Sequence, residues 1–191
     1  RWNLVTGVQT CALPIYTETL SLNDAANRIC AENVVSPINV PSFDNSAMDG
    51  YAVRLADLQQ SLRLTVAGKS FAGAPFEGEW PANSVIRIMT GAMIPSGADA
   101  VVMQEQVCVN EDGTVTFSEL PKANQNIRRI GEDVKQGDVV LQQGALLNAV
   151  SLPLLASLGI ARVKVYPRLK VAVLSTGDEL VPVGQPLQPG Q

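Results

Sequence analysis

Short apolar runs broken by Gly and Pro fill most of the chain, and between residues 62 and 120 they have the length of strands rather than helices. They predict strands at Leu64–Val66, Ser84–Met89 and Ala100–Gln104, and a hairpin of Gln106–Val109 with Thr114–Phe117. Asn110-Glu111-Asp112-Gly113 supplies the hairpin turn, and the alternation of Val107, Val109, Val115 and Phe117 suits strands with one buried face. Residues 127–147 predict more strand-like pieces, Asp138–Leu141 among them. So many short strands with Gly and Pro between them suit a small barrel or sandwich.

The flanking segments read differently. Leu20, Leu22, Ala25, Ala26, Ile29 and Cys30 recur at near-helical spacing and predict a helix over Thr19–Glu32, capped by Ser21 or Asn23. Residues 34–41, with Pro37 and Pro41, are expected to run extended. Asn148–Leu158 predicts a helix stopped by Gly159, beginning at Ser151 if Pro153 is to fall in its first turn. Arg162–Tyr166 predicts a strand. The apolar run Lys170–Leu174 predicts a strand buried on both faces, with Ser175-Thr176-Gly177-Asp178-Glu179 as the turn at its carboxyl end. In doubly wound α/β folds ligands sit at such a turn. The fold class expected is therefore α+β: a two-segment base, an inserted β-rich lobe, and the start of an α/β domain cut short after Glu179.

Composition narrows the functions. The chain has 191 residues, 46% hydrophobic and 17% charged, enough for a sizeable core and too apolar for a disordered segment. No apolar run approaches the roughly 20 residues of a membrane span, so no membrane partner is expected. Lys and Arg number 14 against 18 Asp and Glu, a net charge of −4 that argues against nucleic-acid binding. The absence of His excludes His-based triads, His metal sites and a His general base. Cys11, Cys30 and Cys108 form neither a CxxC pair nor an even framework. They read as buried small hydrophobes in a reducing, cytoplasmic setting. Residues 5–15, Val-Thr-Gly-Val-Gln-Thr-Cys-Ala-Leu-Pro-Ile, are what a common sequencing-adapter oligonucleotide encodes, and Arg1 is not an initiator Met. Residues 1–16 are accordingly expected to be an assembly scar outside the fold.

What chemistry remains belongs to carboxylates, hydroxyls and backbone groups. The densest polar stretch is Ser42-Phe43-Asp44-Asn45-Ser46-Ala47-Met48-Asp49-Gly50-Tyr51. Its oxygen donors suit a hard cation such as Mg²⁺ or a polar substrate; the alternative is that Asp44 and Ser46 cap a helical turn and Gly50 stands at its C′ position. In Arg87-Ile88-Met89-Thr90-Gly91-Ala92 a strand ends in a hydroxyl and a Gly, where backbone N–H groups face an anion or simply make a turn. Arg128 and Arg129 point to opposite faces of a strand, either to bind an oxyanion or to form an ion-pair ladder with Glu132 and Asp133. The glycines of 68–73 match neither the P-loop nor the dinucleotide fingerprint.

Taken together, FDNSAMDGYAV at Phe43–Val53, AGKSFAG at Ala67–Gly73, RIMTGA at Arg87–Ala92, AVVMQE at Ala100–Glu105, IRR with GED from Ile127 to Asp133, and STGDEL at Ser175–Leu180 resemble the molybdopterin molybdenumtransferase family (MoeA and the gephyrin E domain). The resemblance runs from about Glu18 to Gln191. It implies an elongated homodimer that inserts molybdate into adenylated molybdopterin, releases AMP with Mg²⁺, and takes its substrate from an upstream pterin adenylyltransferase. It implies a base of residues 17–44 and 136–168, a β-rich lobe of 45–135, and the start of the molybdopterin-binding α/β domain at 169–191. It places Asp49 and Thr90 on the lobe side of a cleft and Glu179 on the α/β side of the partner subunit. Asp49, Thr90 and Glu179 are then the catalytic groups, Asp49 and Glu179 as metal or water ligands and Thr90 as an anion donor, and Asp44, Asn45, Ser46, Arg128, Arg129 and Asp178 are substrate-binding. The family's Gly- and Ser-rich loop and later Asp residues would lie beyond Gln191, so the chain is expected to be inactive alone. The rival readings are a non-enzymatic dimerisation or scaffold module and a pterin adenylyltransferase-like protein.

Overall fold

The computed structural model describes residues 16–172 and 176–191. In chain order its elements are β1 (Glu18–Ser21), β2 (Val34–Val35), β3 (Asn45–Ser46), β4 (Gly50–Val53), α1 (Leu55–Gln60), β5 (Arg63–Ser70), β6 (Ser84–Ile88), β7 (Ala100–Met103), β8 (Val107–Val109), β9 (Val115–Phe117), β10 (Ile127–Arg128), β11 (Val139–Leu141), α2 (Ser151–Ser157) and β12 (Arg162–Val165), with a 3₁₀ turn at Gln104–Gln106 between β7 and β8.

The main sheet has six strands in the order β7-β4-β6-β5-β9-β8. β5 and β6 are parallel and the other neighbours antiparallel. β4, β6 and β7 are buried on both faces along most of their length, as their largely apolar sequences require, whereas β5 is mostly exposed. Successive residues point to opposite faces. Tyr51, Val53, Val85, Ala100 and Val102 therefore pack with Leu58, Leu64, Val115 and Phe117, while Ala52, Ile86, Ile88 and Val101 pack with Ala92. Burial of a side chain the size of Phe117 contributes about 1.5–3 kcal/mol.

The rest of the fold joins segments distant in sequence. β1 pairs antiparallel with β12, and β2 with β11. Ala25, Leu147, Leu155, Val163 and Val165 form their shared core. α2 starts at Ser151, as Pro153 requires: the Asn148 side-chain oxygen accepts from the N–H groups of Val150 and Ser151 at 2.9 and 3.0 Å, and Gly159 closes the helix at φ +75°.

Four expectations need correction. Residues 19–32 are not a helix. β1 is held by its ladder to β12, the Ser21 hydroxyl closes a turn on Asp24, and Asn27 adopts φ +60°, which a helix does not accommodate. Leu20, Leu22 and Ala25 face one core from a strand and a turn and Cys30 is buried beyond them, whereas Ala26 and Ile29 are exposed. Lys170, Val171 and Ala172 form no strand, having no neighbouring strand to pair with among the described residues; Val173, Leu174 and Ser175 lie outside those residues, as do Cys11 and most of the stretch read as a scar. Cys30 is buried as expected, but Cys108 is exposed on the edge strand β8, where Val109 is exposed too, so the hairpin buries its face through Val115 and Phe117. Gly50 opens a strand instead of ending a helical turn, and Ser46 lies in β3. The short helix α1, absent from the sequence reading, buries Leu58 and Asp57, with Arg54 Nε 2.9 Å from Asp57 Oδ2.

Candidate functional site

Asp49 stands immediately before β4, the strand flanked by β6 and β7. Thr90 stands two residues beyond the end of β6, and the antiparallel pairing of Gly50 with Ile88 brings the two positions together. The Thr90 N–H and its hydroxyl both donate to Asp49 Oδ1 at 2.7 Å. These bonds, the backbone N–H first, hold the Asp49 carboxyl below the usual carboxylate range, and the Arg87 charge nearby acts in the same direction. The other oxygen, Oδ2, accepts no hydrogen bond among the described residues. A half-buried carboxylate with one oxygen fixed and one unbonded can accept a further hydrogen bond or bind a hard cation.

Gly50 makes this arrangement possible. A Cβ there would lie 2.0 Å from the Val102 carbonyl oxygen, so only glycine lets β4 approach β7 so closely. The expectation that N–H groups of the Met-Thr-Gly turn face an anion takes an intramolecular form. The Thr90 N–H meets the Asp49 carboxylate, and the Gly91 N–H donates to the Ser46 carbonyl at 2.8 Å. The Thr90 hydroxyl is likewise committed to Asp49.

The remaining predicted residues fall into separate groups. Asn45 and Ser46 are buried in β3, which pairs with β10. The Ser46 hydroxyl donates to the Met48 carbonyl at 2.6 Å, and the Asn45 amide nitrogen lies 3.5 Å from the Phe43 carbonyl. Asp44 accepts from the Ile130 N–H at 2.8 Å and pairs with Arg129, which also donates to Asn124. The Ile130 N–H, with Arg129 beside it, depresses the Asp44 carboxyl below its ordinary value. Arg128, the last residue of β10, has different partners from Arg129, which lies just past the strand: its Nη2 lies 2.6 Å from both oxygens of Asp133. The ion-pair alternative thus describes Arg128 and Asp133 in this structure. Asp178 and Glu179 are exposed in a turn and form no hydrogen bond or ion pair with Asp49 or Thr90 among the described residues. No group of three or more Cys, Asp or Glu side chains suited to hold a metal occurs among the described residues.

Sequence reasoning passed over Arg87 and Gln104 as individual residues. Arg87 carries its own signal: a charge inside a strand buried on both faces must find polar partners. It finds the Gly50 carbonyl, at 2.7 Å, and the Gln104 side-chain oxygen.

Comparison with known proteins gives a consistent result. Residues 5–159 match the family described as the MoeA N-terminal region (domain I and II). The chain is 78% identical over 178 residues to a molybdopterin molybdenumtransferase of Haemophilus influenzae, covering 93% of this chain and 44% of that protein. It is 42% identical over 178 residues to molybdopterin molybdenumtransferase 2 of Mycobacterium tuberculosis, covering 91% of this chain and 44% of that protein. Among solved structures, the molybdopterin biosynthesis MoeA protein of Pyrococcus horikoshii superposes with a TM-score of 0.83 at 36% identity, over 93% of this chain and 46% of that one. The chain spans less than half the length of the curated relatives it matches. By sequence and by fold, the chain belongs to the MoeA N-terminal region family.

Proposed function

We propose that this chain supplies the lobe side of an active site that inserts molybdate into adenylated molybdopterin and releases AMP. The observation that carries the reading is the Asp49 carboxylate, fixed through one oxygen by Thr90 and unbonded at the other. The names of its relatives, molybdopterin molybdenumtransferases, support the same chemistry. On this reading Asp49 would hold a water or a metal ion, which would offset charge on the substrate's phosphate. Thr90 holds Asp49 in place, and its hydroxyl becomes an oxyanion donor only on leaving Asp49.

Mg²⁺ fits the donor set as a partly protein-held ion. It usually takes one or two carboxylates and keeps the rest of its shell for water and substrate phosphates. Asp49 Oδ2 meets the first need, and the lack of a wider acidic cluster among the described residues agrees with the second. Asp49 and Glu179 would hold the ion, whose chemistry is to neutralise phosphate charge. Because the reaction needs Glu179 opposite Asp49, we assign it to a homodimer whose cleft joins this lobe to the partner's α/β domain. The same reading divides the chain into a base of residues 17–44 and 136–168, a lobe of 45–135 and an α/β start at 169–191. It sets the protein in the cytoplasm, downstream of a pterin adenylyltransferase.

The test is an AMP-release assay with molybdate and adenylated molybdopterin, on a chain continued through the full length of the relatives. AMP release that requires molybdate is the expected result. ATP consumption in place of AMP release would assign the chain to adenylation, and neither activity would leave a scaffold.

A further inference from the structure

Three strands meet at Asp49, and a single side chain spans them. Arg87 projects from β6, where it pairs in register with Tyr51 of β4. Its guanidinium carbon lies 5.1 Å from the centre of the Tyr51 ring. From there Nη1 donates to the Gly50 carbonyl at 2.7 Å, and Nη2 reaches across β4 to the side-chain oxygen of Gln104, just past β7. The Gln104 backbone N–H in turn donates to the Asp49 carbonyl at 3.0 Å, and its side-chain nitrogen donates to Glu105 at 3.2 Å. The two peptides that follow the Asp49 α-carbon are thus each held: Asp49–Gly50 by Gln104 at the Asp49 carbonyl, and Gly50–Tyr51 by Arg87 at the Gly50 carbonyl. Thr90 fixes the Asp49 side chain independently.

We propose that Arg87 is the positioning residue of the site: with Gln104 it forms a strap across β4 that fixes the backbone from which Asp49 projects. This rests on Asp49 being a working carboxylate of the proposed reaction. The strap needs arginine in particular. A planar fork can stack on Tyr51 while donating to two acceptors on different strands, whereas a lysine ammonium retains the charge without the span. Free positive charge near Asp49 would be served equally well by either residue, so the two roles separate experimentally.

The experiment has two arms. In this chain, amide hydrogen exchange is followed by NMR at Thr90 and Gln104, whose N–H groups both end on Asp49. Arg87→Lys, Arg87→Met and Gln104→Ala are expected to speed exchange at those two amides about tenfold or more, while Val85, Ile86 and Val101 keep their protection. In a chain continued through the relatives' full length, Arg87→Lys should lower the kcat of AMP release on the order of 10- to 100-fold, with KM changed little.

Arg87→Lys matching the parent protein in both arms would overturn the strap. So would slowed turnover accompanied by protection lost throughout β4, β6 and β7, which is a general loss of folding. If Arg87→Met does not fold, the exposed Gln104→Ala and the charge-preserving lysine decide the matter. Asp49→Asn is the separating control. If it releases AMP at the parent rate, the functional reading fails, and the exchange arm still decides the strap.

Discussion

Glycine at position 50 is demanded by its neighbour and not by an unusual backbone angle. The 2.0 Å approach of a built Cβ to the Val102 carbonyl leaves nothing flexible to move aside. Gly50→Ala is expected to cost about 3 kcal/mol through overpacking and separation of β4 from β7. Urea unfolding of the variant against the parent measures it, and a loss under 1 kcal/mol would show that β7 yields. Asp44 gives the clearest pH signature at this scale. Its folded pKa lies below the ordinary 3.8, set first by the Ile130 N–H and then by Arg129. The sign follows from linkage: this contribution is present above the unfolded value and is lost as pH falls through the folded one. Thermal unfolding of Asp44→Asn should therefore depend less steeply on pH than that of the parent below about pH 4. Parallel profiles would remove Asp44 from the acid response. Of the residues at the site, Asp49 and Thr90 were legible because the family motifs name them, whereas Arg87 was not. Its role depends on which strands lie side by side, and strand order is not written in local spacing.

At the scale of elements, five of the six strands of the main sheet were legible in the sequence, β5 only in part because Gly68 and Lys69 interrupt its apolar run, whereas β4 was not, its residues closing the polar stretch that was read as a loop or a helical turn. Asn83 marks the start of β6 and Asn110 the end of β8, and the hairpin turn at 110–113 carries Gly113 at φ +79°. The base was read less well. Of the apolar positions of residues 20–30, Leu20, Leu22 and Ala25 converge on the core of Leu147, Leu155 and Val165 from a strand and a turn, while Ile29 and Cys30 lie in isolated bridges to Leu146 and Val165. Such convergence imitates helical spacing without a helix. Two truncations test the separate cores. Leu155→Ala and Phe117→Ala each empty a fully buried position, and each should cost about 2–5 kcal/mol. Chemical shifts should move among Ala25, Leu147 and Val163 for the first and among Tyr51, Leu64 and Val115 for the second. Changes that cross between these sets would mean the clusters form one core.

For the whole molecule, resemblance carried more than composition did. Net charge and the absence of His excluded broad classes, but only the co-linear motifs indicated molybdenum chemistry, and the family match covers most of the chain. The opposing half of the proposed cleft was not legible in geometry, because Glu179 belongs by resemblance to the partner's side. The account stands or falls on Asp49. The direct measurement is molybdate-dependent AMP release by Asp49→Asn and Thr90→Ala, in a chain continued through the relatives' full length. The account predicts a loss on the order of 100-fold or more for Asp49→Asn and at least about tenfold for Thr90→Ala, both in kcat. Parent rates in both variants would contradict it.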